Sequence, residues 1–188
     1  MAVDPLSGWK ARLLAMPTTG DETQGAQNLA DFCGDMMDKL NVIGGTVGVF
    51  TFDRPLFVST VMATMQPDGS ISWTSKFANA WAVASGSSTV TPATVTNGAW
   101  SGSVKDILTS SSGNATIVNL SAAKSALDSY LQAEGNPFVN KQIQTGAQAD
   151  AANEAFAKAV RDATLLFQFD CIGLNSVPSP VSVVLGVE

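Results

Sequence analysis

The sequence predicts an α+β fold: a mainly helical single domain over residues 1–188, with a small antiparallel sheet and an extended C-terminal segment. Three observations carry this expectation. Apolar residues recur at helical spacing through most of the chain. One stretch, Thr46 to Phe52, switches to a period of two. Near the end, Asn175-Ser176-Val177-Pro178-Ser179-Pro180 is stiff and extended, because each proline biases the residue before it away from the helical region. A chain of 188 residues is long enough for one domain with a real hydrophobic core and short for two.

The organising stretch is Trp73 to Leu108. Trp73, Phe77, Ala80, Trp81 and Ala84 line one face of a helix, and Trp100, Val104, Ile107 and Leu108 repeat the stripe. Ser85 to Gly98 between them is too rich in Gly, Ser, Thr and Pro to continue either helix. The expectation is a helical hairpin in which Trp73, Trp81 and Trp100 anchor the core.

In chain order, Asp4 caps a short helix with Pro5 at its first position and Trp9, Leu13 and Met16 as its apolar face, so that residues 1–17 form an N-terminal helix or arm. A longer helix runs from about Asp21 to Leu40, with Leu29, Phe32, Cys33, Met36 and Leu40 on one side. Asp31, Asp35 and Asp38 share the other side. Three carboxylates on one face suit a hard cation, but no EF-hand loop is nearby and a solvated amphipathic face is the simpler reading.

Thr46, Gly48, Phe50 and Phe52 then alternate with Val47, Val49 and Thr51 as a strand with one aromatic edge. Asp53-Arg54-Pro55 breaks it. Leu56 to Met65, rich in β-branched residues, reads as a second strand, with a buried helix as the other reading. Gln66-Pro67-Asp68-Gly69 is a turn that delivers the chain into Trp73.

Beyond the hairpin, Ser110 to Asn114 is a loop. Asn119 or Ser121 starts a helix to Glu134, with Ala123, Leu127, Tyr130 and Leu131 inward and Gly135 as its stop. From Thr145 to about Phe167 the inward stripe is Ala152, Ala155, Phe156, Ala159, Val160, Ala163, Leu166 and Phe167. Glu154-Lys158 and Lys158-Asp162 add surface pairs of about 0.3 kcal/mol each. Residues 176–188 form an extended Pro-rich arm whose apolar part, Val181, Val183, Val184, Leu185 and Val187, either closes the chain's own sheet or adds to the sheet edge of a neighbouring copy.

Composition bounds the function. Only 14% of residues are charged, against roughly 25% in a typical globular protein, and such a surface suits burial against neighbours. The net charge is -6 and the bases are scattered from Lys10 to Arg161, which argues against direct nucleic-acid binding. No apolar stretch approaches the ~20 residues of a membrane span, and Met1-Ala2-Val3-Asp4-Pro5 lacks a secretory pattern, so synthesis in the cytoplasm is expected.

The absence of histidine removes Ser-His and Cys-His nucleophiles and histidine-containing metal sites. Cys33 and Cys171 make no CxxC motif and read as buried thiols. Ser7-Gly8-Trp9-Lys10 and Ser121-Ala122-Ala123-Lys124 match SxxK, without the SDN and KTG elements that accompany it in serine-acylating enzymes. Asp53 and Asp68 read as turn carboxylates and Asp170 as a helix-end or loop acid rather than as a glycosidase pair. No phosphate-cradling glycine motif occurs. The expectation is therefore no catalytic residue, no metal and no cofactor.

Phe77-Ala78-Asn79-Ala80-Trp81, Thr91-Pro92-Ala93 and Ala99-Trp100, with the Ala-rich helices after them, resemble small structural proteins encoded among tail and neck genes of tailed bacteriophages. The resemblance covers Trp73 to Phe167 and lies in texture. It implies a virion component of tail, neck or baseplate, made in the host cytoplasm, whose partners are copies of itself in a symmetric ring or layer and other virion proteins. The alternative is a monomeric binding module with a pocket lined by Trp73, Trp81 and Trp100 for a sugar or apolar ligand. A carboxylate-dependent hydrolase using Asp53 or Asp170 is the third reading.

Overall fold

A computed structural model describes residues 5–17, 21–40, 45–46, 50–64, 73–90, 94–97, 100–104, 113–114, 117–133, 147–174 and 180–186. These residues are mainly helical. Six helices lie among them: α1 (Leu6–Leu14), α2 (Glu22–Met37), α3 (Arg54–Thr64), α4 (Trp73–Ser87), α5 (Leu120–Gln132) and α6 (Ala147–Thr164). Each packs on the next in sequence, except that α6, besides packing on α5, returns to α1. The six therefore close a circuit around an aromatic centre.

Local chemistry starts and stops these helices. The Asp21 carboxylate accepts from the Gln24 backbone N–H at 2.7 Å and caps α2. Pro5 sits at the entry to α1, whose Trp9 and Leu13 are buried. In α5, Ala123, Leu127 and Leu131 turn inward as the spacing predicts, but Tyr130 is 40% exposed. It stands one position before Leu131, off the buried stripe. In α6, Phe156, Ala159, Val160 and Ala163 are buried and Phe167 beyond it is too, whereas Leu166 is 40% exposed because the helix has ended at Thr164.

The centre is built from rings contributed by different helices. Phe156 of α6 lies 5.9 Å from Phe32 of α2 and 5.1 Å from Phe77 of α4. Phe77 meets Phe57 of α3 edge-on at 5.6 Å, and Trp9 of α1 meets Phe32 at 6.0 Å. Separations and tilts of this kind are favoured for aromatic pairs over face-to-face sandwiches. Trp73 stacks on Phe77 at 5.5 Å, and Trp81 stacks on Phe167 at 5.1 Å.

Two sequence expectations are corrected. Leu56 to Met65 is not a strand: α3 covers it to Thr64. The tract taken as a breaker is a helix start, since Asp53 Oδ1 accepts from the Leu56 N–H at 3.0 Å, with Pro55 in the first turn. Phe57 and Val61 then face the core, and the Ser59 and Thr60 hydroxyls bond back to the Leu56 carbonyl, giving the polar and β-branched side chains a helical partner.

Nor is Trp73 to Leu108 a helical hairpin. Its first half is α4, but Trp100–Val104 is a strand. Numbering strands in chain order, β1 is Gly45–Thr46, β2 Phe50–Thr51, β3 Thr89–Val90, β4 Thr94–Asn97, β5 Trp100–Val104, β6 Gly113–Asn114, β7 Gln168–Leu174 and β8 Pro180–Gly186. Ser101-Gly102-Ser103 is a poor helical interior, and β4 pairs with β5 so that Asn97 faces Trp100 across a two-residue link that begins Gly98. A two-residue link that opens with glycine is a hairpin signal in the sequence, and it competes with Trp100 and Val104, which also stand at helical spacing. Ile107 and Leu108 lie outside the described residues, as do Asp4, Val47 to Val49, the 66–69 turn, the start of the 145–167 helix before Ala147, and Val187.

Among the described residues all strand pairs are antiparallel, in the orders β1-β4-β5-β7-β8 and β2-β3-β6. Phe169 of β7 meets Phe50 of β2 edge-on at 6.1 Å, which carries the aromatic core on from the helices. Of the expected strand from Thr46 to Phe52, the described residues show strand at Gly45–Thr46 and Phe50–Thr51, and the Phe50 and Phe52 rings are buried with Thr51 exposed between them.

Candidate functional site

The largest concentration of charge among the described residues lies where α1, α2 and α3 meet. Asp31 and Asp35 of α2, with Asp38 just beyond it, present their carboxylates at helical spacing. Arg54, at the first position of α3, reaches across them: Nη2 is 3.0 Å from Asp35 Oδ1 and 2.8 Å from Asp38 Oδ2, and Nε is 3.6 Å from Asp31. Arg12 of α1 adds a 2.6 Å contact from Nε to the other Asp35 oxygen. The expected solvated face is thus a bridge between three helices.

Gly34 makes room for it. A Cβ at that position would lie 2.2 Å from Arg54 Cζ, so the guanidinium rests directly on the backbone of α2. Asp38 serves a second purpose, accepting the Phe52 N–H at 2.8 Å and tying the end of α2 to the entry of α3.

Electrostatics follow this geometry. Partial burial pushes the Asp35 carboxyl up, but the hydrogen bonds and charges of Arg12 and Arg54 outweigh it and hold the group below its ordinary value. For Arg54 burial works against the charge, and Asp38 and Asp35 more than restore it. Burial raises the Cys33 thiol far above its ordinary value, against a smaller opposing pull from Arg54, so this sulfur is a packed apolar group.

This arrangement sets three carboxylates against two arginines, so that each carboxylate already has a guanidinium beside it. Among the described residues no group of three or more Asp, Glu or Cys is placed to hold a metal ion. No described helix is long and apolar enough to cross a membrane.

The remaining candidates separate in space. Lys10 of the first SxxK match is held by Asp150 at 2.8 Å and Glu154 at 2.9 Å on α6. Those hydrogen bonds, Asp150 first, raise its pKa, so it is a fixed cation and a poor base for Ser7. Glu154 therefore bonds Lys10, while Lys158 pairs with Asp162. Asp53 caps α3 and accepts the Ser87 hydroxyl at 2.9 Å. Asp68 and the side chain of Asp170 lie outside the described residues.

Trp81 is fully buried and Trp73 half-buried, each stacked on a phenylalanine. Trp100 begins β5, and its side chain lies outside the described residues, as do those of Val181, Val183, Val184 and Leu185 on β8. The indole N–H groups of Trp9 and Trp81 have no hydrogen-bond partner among the described residues. An open depression of about 330 Å³ follows α6, lined by Ala147, Asp150, Ala151, Glu154, Ala155 and Lys158, with its two acids turned to Lys10.

Sequence reasoning missed two residues that organise these contacts. Arg54 lies in Asp53-Arg54-Pro55, whose composition reads equally as the break after a strand. Asn119 was read only as a helix start, yet its side-chain amide donates to the Leu166 carbonyl at 2.6 Å and accepts the Gln168 N–H at 3.0 Å, fastening the turn between α6 and β7 to α5. Asparagine at a predicted helix boundary is the signal that was available.

No protein-family model, curated protein or solved structure matches this chain.

Proposed function

We propose that the chain is an α+β structural protein of a tailed-phage virion, assembling in several copies in the tail, neck or baseplate after synthesis in the host cytoplasm. The observation that carries this reading is the scarcity of charge, 14% of residues, combined with how the charges are used. Arg12 and Arg54 hold three helices together, and Lys10 fixes α1 to α6. A chain with few charges, several of them paired between helices, has an exterior that loses little on burial against another subunit. The Ala- and Ser-rich texture from Trp73 to Phe167 supports the same reading, as does the Pro-flanked strand β8 near the C-terminus.

The partners are then further copies of the chain and other virion proteins, and the work is mechanical. The test is an antibody to the chain followed through a density gradient of lysate from producing cells. Co-migration with intact particles that survives a high-salt wash is expected. A signal confined to the soluble fractions refutes the reading and turns attention to a ligand-binding role for the tryptophans.

A further inference from the structure

We propose that the outer edge of β8 is a self-pairing surface, on which β8 of a second copy adds antiparallel about a two-fold axis. This deepens the assembly reading above and rests on it.

The strand stands last in its sheet, and among the described residues it pairs with β7 alone. Its seven pairs, from Gln168 with Gly186 to Leu174 with Pro180, follow one register without a bulge. An edge strand presents a row of unmatched N–H and C=O groups, and soluble proteins usually guard it with a charge, an internal proline, a bulge or brevity. None of these guards lies between Val181 and Gly186. By contrast β1, at the other end of the sheet, is two residues long.

Proline fixes which groups face out. Pro180 has no N–H, so its pairing with Leu174 cannot be the type in which both residues donate. The hydrogen-bonded positions toward β7 are therefore Val181, Val183 and Leu185. By alternation, Ser182, Val184 and Gly186 turn their N–H groups outward.

A second β8 is the occupant that fits. It matches the edge in length, where β1 would leave most of it unpaired. Two-fold antiparallel pairing also brings each residue near its own kind, so a charged strand would repel itself, and this one has no charge. With Val183 on the axis, Ser182 bonds to Val184 of the second copy and Val184 to its Ser182. The two sheets become one continuous sheet.

Two measurements on the whole chain decide this. Sedimentation over about two decades of concentration spanning the micromolar range should show mass rising from 19.5 kDa to twice that. Val184→Pro, which removes an outward N–H while sparing the β7 ladder, should weaken the dimer at least about tenfold with helical circular dichroism unchanged. Hydrogen exchange on the unmodified chain does not depend on how that variant folds. The amides of Ser182 and Val184 should exchange fast in dilute solution and become protected as the dimer forms, while those of Val181, Val183 and Leu185 stay protected throughout.

A monomer at every concentration overturns the proposal, as does protection of Ser182 and Val184 that ignores concentration. A folded Val184→Pro chain that dimerises with unmodified affinity also overturns it. If the chain still co-migrates with particles in any of these cases, the assembly reading survives and only its β8 interface falls; loss of co-migration removes the reading itself.

Discussion

Replacing Arg54 with methionine tests whether the bridge over α2 holds the helical body together. Methionine keeps most of the aliphatic stem and removes the charge. The arginine side chain is 25% exposed and contacts three carboxylates that are between 28% and 45% exposed. Partly exposed pairs are each worth about 0.2–1 kcal/mol. Two close contacts, one looser one and the repulsion left among three neighbouring aspartates together come to roughly 2 kcal/mol. In a domain of this size that lowers the melting temperature by about 4–8 °C.

The sign with pH is fixed by Asp35. Its carboxyl lies below its ordinary value in the folded chain, so its stabilisation is present above the unfolded value near ~3.9 and is lost as pH falls through the folded one. Thermal melts followed by circular dichroism should show the full difference at neutral pH and little of it under strongly acid conditions. Equal melting temperatures at neutral pH, or a difference that persists undiminished in acid, refute the bridge.

Three further outcomes follow from the same packing. Gly34→Ala gains about 1 kcal/mol of helix propensity but displaces Arg54, so melts should show a net loss of about 1 kcal/mol at neutral pH and a net gain in acid, where the bridge has gone. Phe156→Ala removes a fully buried ring touching Phe32, Trp73 and Phe77, and urea unfolding should report a loss of about 3–5 kcal/mol. In a Cys171→Ser background, Cys33 should resist a thiol reagent at mildly alkaline pH while the chain is folded and react fully in denaturant; prompt reaction in the native state contradicts its burial.

Local signals made the helices legible and misled at two strand-helix decisions. Phe156, Val160 and Ala163 mark α6, and Asp21 marks the start of α2, through spacing and caps that belong to one helix. α3 was obscured because Val58, Thr60 and Val61 favour strands intrinsically, while Asp53 and Pro55, which decide the matter, serve equally as turn residues. β5 was obscured by Trp100 and Val104, whose spacing fits both periods. The acidic face of α2 could be read from Asp31, Asp35 and Asp38 alone. Its meaning could not, since Arg54 enters from another helix 16 residues beyond Asp38 in the sequence, and no local pattern encodes that approach. The C-terminal segment is legible as extended, but its pairing with β7, across Asn175 to Ser179, is not encoded in the apolar run itself.

The return of α6 to α1 also sets an order of events during synthesis. Lys10 waits for Asp150 and Glu154, 140 and 144 positions later, and Phe32 and Phe77 wait for Phe156. A chain growing at roughly 5–20 residues per second exposes those rings for several seconds before their partners leave the ribosome. The circuit cannot close on a partial product, and β8, which follows α6, is the last of the described strands to be made. Chains that stop short of α6 therefore lack both the finished core and β8, and they are candidates for proteolysis.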